Sequence, residues 1–374
     1  MKTPRNFWLD ACRSLAIIMV LASHGRHFLT PAWKDAMIFR LGGFVGVELF
    51  FVLSGFLIGS IAWSSFRKAG SNHRWVLSFM ARRGLRTLPP YYLFLLLNAI
   101  LIGGAVSGGH IADLLPFVFF VQNLAWPHPP VFGEAWSLSV EEIFYLILPL
   151  SLVLFGHIFS SKKTAFLSVV ALFLLLPLIA RVIAVDVSEP PWDEGIRKVT
   201  IFRLDALMVG VLASWLIHKK PPFSRLKRVS ALLLSVSITA GAVTFFLRNE
   251  TTLNSDAFAR VWLFPLVSIG CVLLVVSGLA WHHAPAIIAR PTEVCARWSY
   301  ALYLAHMPVF NIILWSQGHA QPGDTFASLV RWGTFIVGSM CAAALVERFI
   351  ERPTLQWRDR IVPRQSRDGD LRTI

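Results

Sequence analysis

What most constrains this chain is a succession of apolar runs, each near the length a helix needs to cross a bilayer, separated by charged or proline- and glycine-bearing breaks. A helix needs about 20 apolar residues to span the hydrocarbon core. Such runs fall at residues 8–29, 37–63, 88–106, 134–155, 164–185, 199–217, 230–247, 261–281, 297–315 and 326–349. A further run at 114–121 is too short to cross and reads as a re-entrant or interfacial piece. Inside lipid every backbone polar group must be satisfied within the protein, which leaves helices and closed barrels. The expected fold is therefore an all-α polytopic membrane protein of about ten transmembrane helices. The charged fraction of 15% agrees, because soluble domains carry about 25%. A hydrophobic fraction of 55% excludes a disordered chain and argues against a soluble enzyme.

The net charge of +14 has two readings, nucleic-acid binding or the Lys/Arg bias of cytoplasmic loops. With ten spans both termini share one side. Most of the 35 Lys and Arg fall on that side, spread over six separate segments and not gathered on one face. Both termini are thus expected to be cytoplasmic, the lipid bilayer is the expected partner, and nucleic acid is not. The expected organisation is a membrane-embedded domain over 1–352 and a short basic cytoplasmic tail over 353–374. The first run carries Arg13 and lacks a clear small-residue cleavage site, so it reads as a span and not a signal peptide. Cys12, Cys271, Cys295 and Cys341 have no paired spacing and read as small core residues, with no metal or disulfide implied.

Ionisable residues at membrane depth are costly and mark function or helix-to-helix pairing. Besides Arg13, the basic residues read within spans are Arg40, Arg203 and Arg331. In the first run Arg13 and His24 are eleven residues apart, which puts them on one helix face, roughly 16 Å apart along the axis. The second run buries Glu48, open to either an ion pair or a site, beside Gly55 and Gly59 on a spacing that suits close helix packing. Arg82, Arg83 and Arg86 precede a span whose entry is expected to be fixed by Pro89 and Pro90. One arginine there is an ordinary anchor; three together suit phosphate groups on a cytoplasmic cofactor.

The fourth run opens Glu134-Ala135-Trp136-Ser137-Leu138-Ser139-Val140-Glu141-Glu142. Glu141 and Glu142 point about 100° apart, so at most one readily faces His24. A carboxylate on a His ring nitrogen raises its basicity. The structural alternative pairs them with Arg40, Arg203 or Arg331. Arg203 and Asp205 are two apart and each should find a partner on another helix. Tyr300, Tyr303 and His306 form a slowly drifting polar stripe, and 347–353 reads as a salt-bridged helix end stopped by Pro353.

Taken in order, Arg13-x10-His24, the second-helix run Gly46-Val47-Glu48-Leu49-Phe50-Phe51-Val52-Leu53-Ser54-Gly55-Phe56, Arg82 to Pro89, Trp136 to Tyr145, Arg203 with Gly210, Ser299 to Pro308 and Glu351-Arg352-Pro353 resemble the bacterial integral-membrane acyltransferase family (acyltransferase family 3). Glu48 stands where Asp is common in that family. The resemblance covers nearly the whole chain. It implies a ten-helix enzyme of the bacterial inner (cytoplasmic) membrane that moves an acyl group, commonly acetyl, from cytoplasmic acyl-CoA to a hydroxyl of a sugar or other small hydroxyl-bearing acceptor. Some members of that family also carry a fused extracytoplasmic hydrolase-like domain; with residue 374 only about 25 residues past the last run, none is expected here.

On that resemblance Arg82, Arg83 and Arg86 would hold the donor's phosphates, and the acyl arm would run past Arg13 to His24. His24 would act as general base or, in a variant, carry the acyl group, with Glu141 or Glu142 orienting it. Trp136, Ser137, Tyr300, Tyr303 and His306 would contact the acceptor. A metal is not required. The competing class is a polysaccharide or acyl-glycan transporter, which ten helices with intramembrane charges also suit.

Overall fold

The computed structural model describes residues 6–69, 74–103, 110–218 and 223–362. Among these every regular element is helical: α1 (Phe7–Leu29), α2 (Arg40–Lys68), α3 (Arg74–Gly103), α4 (Leu115–Val118), α5 (Ala135–Ile158), α6 (Lys162–Ser188), α7 (Leu204–His218), α8 (Arg225–Arg248), α9 (Ala257–Val261), α10 (Leu263–Ser277), α11 (Ala286–Gln317), α12 (Thr325–Val346) and α13 (Arg352–Ile361). Asn6 starts α1 by accepting from the N–H groups of Trp8 and Leu9 at 3.0 and 3.4 Å, which satisfies donors the first turn leaves free. Seven helical stretches among the described residues are long and apolar enough to cross a membrane. Leucines and isoleucines along α6 and α8, such as Leu175, Ile179, Leu233 and Leu234, are exposed. Apolar faces of that extent belong in lipid, and the chain is a multi-pass membrane protein.

The other three expected spans are helical but differently bounded. The run at 88–106 lies inside α3, which begins at Arg74 and carries Pro89 and Pro90 in its interior. The prolines therefore do not mark the start of that helix, and residues 104–106 lie outside the described residues. The run at 261–281 shortens to the 15 residues of α10. The run at 297–315 is the later part of the 32-residue α11. The 114–121 piece is a single helical turn, α4, flanked by a 3-10 turn at Ile111–Leu114, in keeping with a segment that does not cross.

Pro353 does not stop the last helix. The chain passes through a π turn at Glu347–Glu351 and continues as α13, with proline in its first turn, where its missing N–H costs nothing. The first ten residues of the expected tail, 353–362, are thus mostly helix; 363–374 lie outside the described residues. Of the cysteines, Cys12 and Cys271 are buried, Cys295 is half-buried and Cys341 is exposed, so only the first two are core residues.

α2 is the axis of the packing, in contact with α1 on one side and α7 on the other. Gly46 faces α1, where a Cβ would sit 2.7 Å from the Ala16 carbonyl oxygen. Nine residues on, half a turn round the helix, Gly55 faces α7, where a Cβ would overlap the Leu207 carbonyl. Gly210 returns the favour from α7, against the Val52 carbonyl. Small residues at such crossings let backbones touch, which is how helices associate without a hydrophobic driving force.

Two buried ion pairs fasten the same region. Arg203 at the start of α7 pairs with Glu48 of α2, whose other oxygen accepts from Ser268 of α10 at 3.0 Å. Asp205 pairs with Arg181 of α6 at 2.7 Å. Both arginines lie beside the Phe264 ring, 4.2 and 5.8 Å from its centroid. Arg203 and Asp205 thus find partners on other helices, as their two-residue spacing requires, and Glu48 is an ion-pair residue. Arg181 was not among the basic residues read within spans, yet it is fully buried in α6 and belongs with them.

Gly55→Ala is expected to destabilise the protein by at least about 1–3 kcal/mol, the usual cost of overpacking. Gly241→Ala, with nothing within 4 Å of the new methyl, is the control and should cost nothing. Thermal unfolding of the two purified variants in one detergent checks this.

Candidate active site

Arg13 and His24 stand on one stripe of α1, and the structure opens a chamber at each. The first, with about 750 Å³ of empty space, takes Arg13 from α1, Ser54 from α2, Arg83 and Arg86 from α3, Glu141 and Tyr145 from α5, and Tyr300 and Tyr303 from α11. The second, about 1370 Å³, takes His24, Glu134, Trp136, Trp192, Arg197 and again Tyr303. Val47 and Tyr303 line both, so the chambers meet at these two side chains.

In the arginine chamber, Glu141 accepts from Ser54 Oγ at 3.1 Å and from the Tyr145 hydroxyl at 3.0 Å. The Arg83 guanidinium lies 5.8 Å from the centroid of the Tyr145 ring. Arg13 has Asp10 at 4.0 Å, at the limit of an ion pair. The Tyr300 hydroxyl donates to the Thr87 carbonyl at 2.9 Å, tying α11 to α3 just below the arginines. Three guanidinium groups and one carboxylate line this chamber, with Asp10, Glu142 and Glu351 behind the arginines; the guanidinium groups facing the space suit an anionic ligand.

At the boundary, the Tyr303 hydroxyl and Ser137 Oγ are 2.6 Å apart, and Tyr303 also donates to the Glu134 carbonyl at 3.2 Å. These contacts hold α11 against the start of α5.

In the histidine chamber, His24 Nδ1 is 3.1 Å from the Val20 carbonyl. A carbonyl can only accept, so Nδ1 carries the proton and Nε2 keeps the lone pair. His306 does the same, with Nδ1 donating to the Tyr303 carbonyl at 2.7 Å and Nε2 buried without a partner. The two imidazole rings are 4.8 Å apart. Glu134 is buried, and neither of its carboxylate oxygens has a hydrogen-bond partner. Arg197 sits 4.8 Å from the Trp136 ring centroid and pairs with Asp193. Burial raises the Asp193 carboxyl, but Arg197 and Lys198 outweigh it and hold that group well below the usual carboxylate range.

Several expectations are corrected. Neither Glu141 nor Glu142 serves His24: Glu141 lines the arginine chamber, and Glu142 faces Thr87 and Arg83. The structural alternative fails as well, because Arg40 pairs with Glu250, Arg203 with Glu48, and Arg331 donates to the Gln317 carbonyl. Arg82 does not line the chamber; its guanidinium turns to α13, pairing with Asp359 at 2.8 Å and donating to the Val362 carbonyl. Arg83 and Arg86 remain, joined by Arg13. Trp136 belongs to the histidine chamber, Ser137 and Tyr300 to the arginine chamber, and His306 stands beside His24. The sequence reading missed Glu134 and Arg197. Glu134 was legible as an acid two residues before Trp136, whereas Arg197 lies in an irregular loop that carries no periodic signal.

Residues 6–348 match the family of acyltransferase domains, acyltransferase family 3, and the chain belongs to that family. Among its relatives, the peptidoglycan O-acetyltransferase OatA of Listeria monocytogenes is 27% identical over 367 residues, which is 92% of this chain and 55% of the relative. The O-acetyltransferase OatA of Staphylococcus aureus (strain NCTC 8325 / PS 47) is 26% identical over 371 residues, covering 92% of this chain and 56% of the relative. A putative O-acetyltransferase of Staphylococcus aureus (strain MRSA252) is 26% identical over 383 residues, 95% of this chain and 59% of the relative. The chain thus spans little more than half the length of these relatives. No solved structure matches it.

The boundary contact generates a prediction. Tyr303→Phe removes a hydroxyl shared by Ser137 and the Glu134 carbonyl, and should cost about 0.5–1.5 kcal/mol of stability per hydrogen bond lost. Unfolding of Tyr303→Phe, Ser137→Ala and the double variant checks it; the double should cost less than the two singles added, because they share one contact.

Proposed function

We propose that this protein is a membrane O-acyltransferase that takes an acyl group, commonly acetyl, from acyl-CoA and places it on a hydroxyl of a sugar or glycan. The observation that carries this reading is the pairing of an arginine-lined chamber with a histidine-bearing one along a single helix, the two meeting at Val47 and Tyr303. Membership of an acyltransferase family supports the reaction class, and the naming of the Listeria relative for peptidoglycan supports a cell-wall glycan as acceptor.

In this reading Arg13, Arg83 and Arg86 hold the donor's phosphates and carry its arm toward the boundary at Tyr303. His24 Nε2, the ring nitrogen with the lone pair, takes the proton of the acceptor hydroxyl. The hydroxyl oxygen attacks the thioester carbonyl, the carbon–sulfur bond breaks, and the thiolate leaves with a proton as free coenzyme A. Trp136 and Trp192, with Arg197 beside both rings, form part of the wall against which a sugar would rest. The arginine chamber faces the cytoplasm, where acyl-CoA is made, and the histidine chamber faces outward. The excess of Lys and Arg on the terminal side supports that orientation and a place in the cytoplasmic membrane of a bacterium.

Membranes supplied with radiolabelled acetyl-CoA test the proposal. His24→Ala and His24→Gln, at unchanged protein levels, should lower acyl transfer by about 10²–10⁴-fold. Arg83→Ala should raise the donor KM about tenfold, the loss of one charge-assisted contact. Undiminished transfer by the His24 variants removes the general base. Uptake of label without acylation of any hydroxyl compound points to the transporter class instead.

A further inference from the structure

The basic cluster beside the arginine chamber does not end with α3. α13 packs against α3 and presents Arg358 to it, while Arg352 and Arg360 on the same helix are exposed. Arg358 Nε and Nη2 donate to Asp359 Oδ1 at 3.0 and 2.8 Å. The same carboxylate oxygen accepts from Arg82 Nη2 at 2.8 Å. Arg358 lies within electrostatic reach of both Arg82 and Arg86. Arg82 and Arg86 are four residues apart on one face of α3, and Arg86 lines the arginine chamber. Two guanidinium groups therefore converge on one carboxylate just beside a third. Glu351, at the base of α13, and Glu141 of the chamber also lie near Arg86.

The exposures in this bridge are uneven. The Arg82 and Arg358 side chains are 20% and 12% exposed, whereas Asp359 is 47% exposed. All three groups are held on α3 and α13, and the carboxylate between the two cations is the most exposed of them. An exposed ion pair contributes little to stability. A phosphate group carries more charge than a carboxylate and offers more acceptor oxygens to paired guanidinium groups.

We infer that α13 supplies a donor-binding group: Arg358 acts with Arg82 and Arg86 to hold the phosphates of the acyl-CoA donor, and the Asp359 carboxylate occupies the phosphate position until the donor displaces it. This rests on the acyl-CoA reading above and extends it. The helix that carries Arg358 lies beside the chamber's Arg86 and outside the stretch that matches the acyltransferase family, which ends at residue 348. Asp359 then acts as a built-in competitor that lowers affinity for phosphate-bearing donors.

Steady-state kinetics of the purified full-length protein in nanodiscs, with acetyl-CoA and with S-acetylpantetheine, which lacks every phosphate, test this. The wild-type protein should show a much lower KM for acetyl-CoA. Arg358→Gln should raise the KM for acetyl-CoA about tenfold with kcat unchanged, and leave S-acetylpantetheine unaffected. Arg358→Lys should recover part of that loss. Asp359→Asn should lower the KM for acetyl-CoA by about threefold, the opposite sign to Arg358→Gln, because a competing anion is gone. Equal effects of Arg358→Gln on both donors, or a raised KM in Asp359→Asn, would make the bridge a structural tie of α13 and overturn the inference. A wild-type protein that fails to tell the two donors apart would instead refute the acyl-CoA reading itself.

Discussion

The close crossing of α2 with α1 and α7 is the constraint on which the rest of this structure depends. α2 meets α1 at Gly46 and α7 at Gly55, on opposite sides, and at both places a methyl group would strike backbone. At those two points backbone meets backbone, which limits how the helices can rotate against each other. That rotation aims the stripe of α1 carrying Arg13 and His24 toward α11 and the two chambers. The ion pair of Glu48 with Arg203 fixes the same crossing by charge. A buried pair costs desolvation, and breaking one side leaves an uncompensated charge, so the pair specifies one arrangement of α2 against α7 more than it adds stability.

On this frame the site is divided between two ends of one helix. The arginine end is lined by α1, α2, α3, α5 and α11, and the histidine end mostly by α1, α2 and α11 with the loops before α5, α7 and α9; Tyr303 of α11 is common to both. The two ends differ in chemistry: the histidine end sets Trp136 and Trp192 beside both basic side chains, Arg26, Arg40, Arg197 and Lys198, and acidic ones, Glu134, Asp193 and Glu250. The division also accounts for carboxylates that do not touch His24. Glu141 is bound into a network with Ser54 and Tyr145, where it offsets part of the charge of the arginines.

Much of this was legible in the sequence, and the gaps have physical causes. Hydropathy located the helices, because lipid demands apolar runs. It misplaced helix starts such as that of α3, because hydropathy reports where lipid begins and not where the backbone becomes helical; Pro89 and Pro90 sit comfortably within that long helix. The register of Arg13 and His24 followed from the helical repeat. The partner of His24 did not, since a shared membrane level says nothing about which way neighbouring helices turn. Glu141 and Arg82 both went to partners that only the packing reveals. Arg181 escaped notice because it stands near the end of an apolar run, where hydropathy does not separate a cation buried against Asp205 from a loop charge.

The central claim is that the two chambers open to opposite sides of the membrane, the arginines toward the cytoplasm and His24 outward. Single cysteines at Leu57, which lines the arginine chamber, and at Asn254, which lines the histidine chamber, report it directly in a background carrying Cys341→Ala. A membrane-impermeant maleimide added to intact spheroplasts should label Asn254→Cys at once and Leu57→Cys only after the membrane is opened. Labelling of both from outside, or of Leu57→Cys alone, would contradict the account.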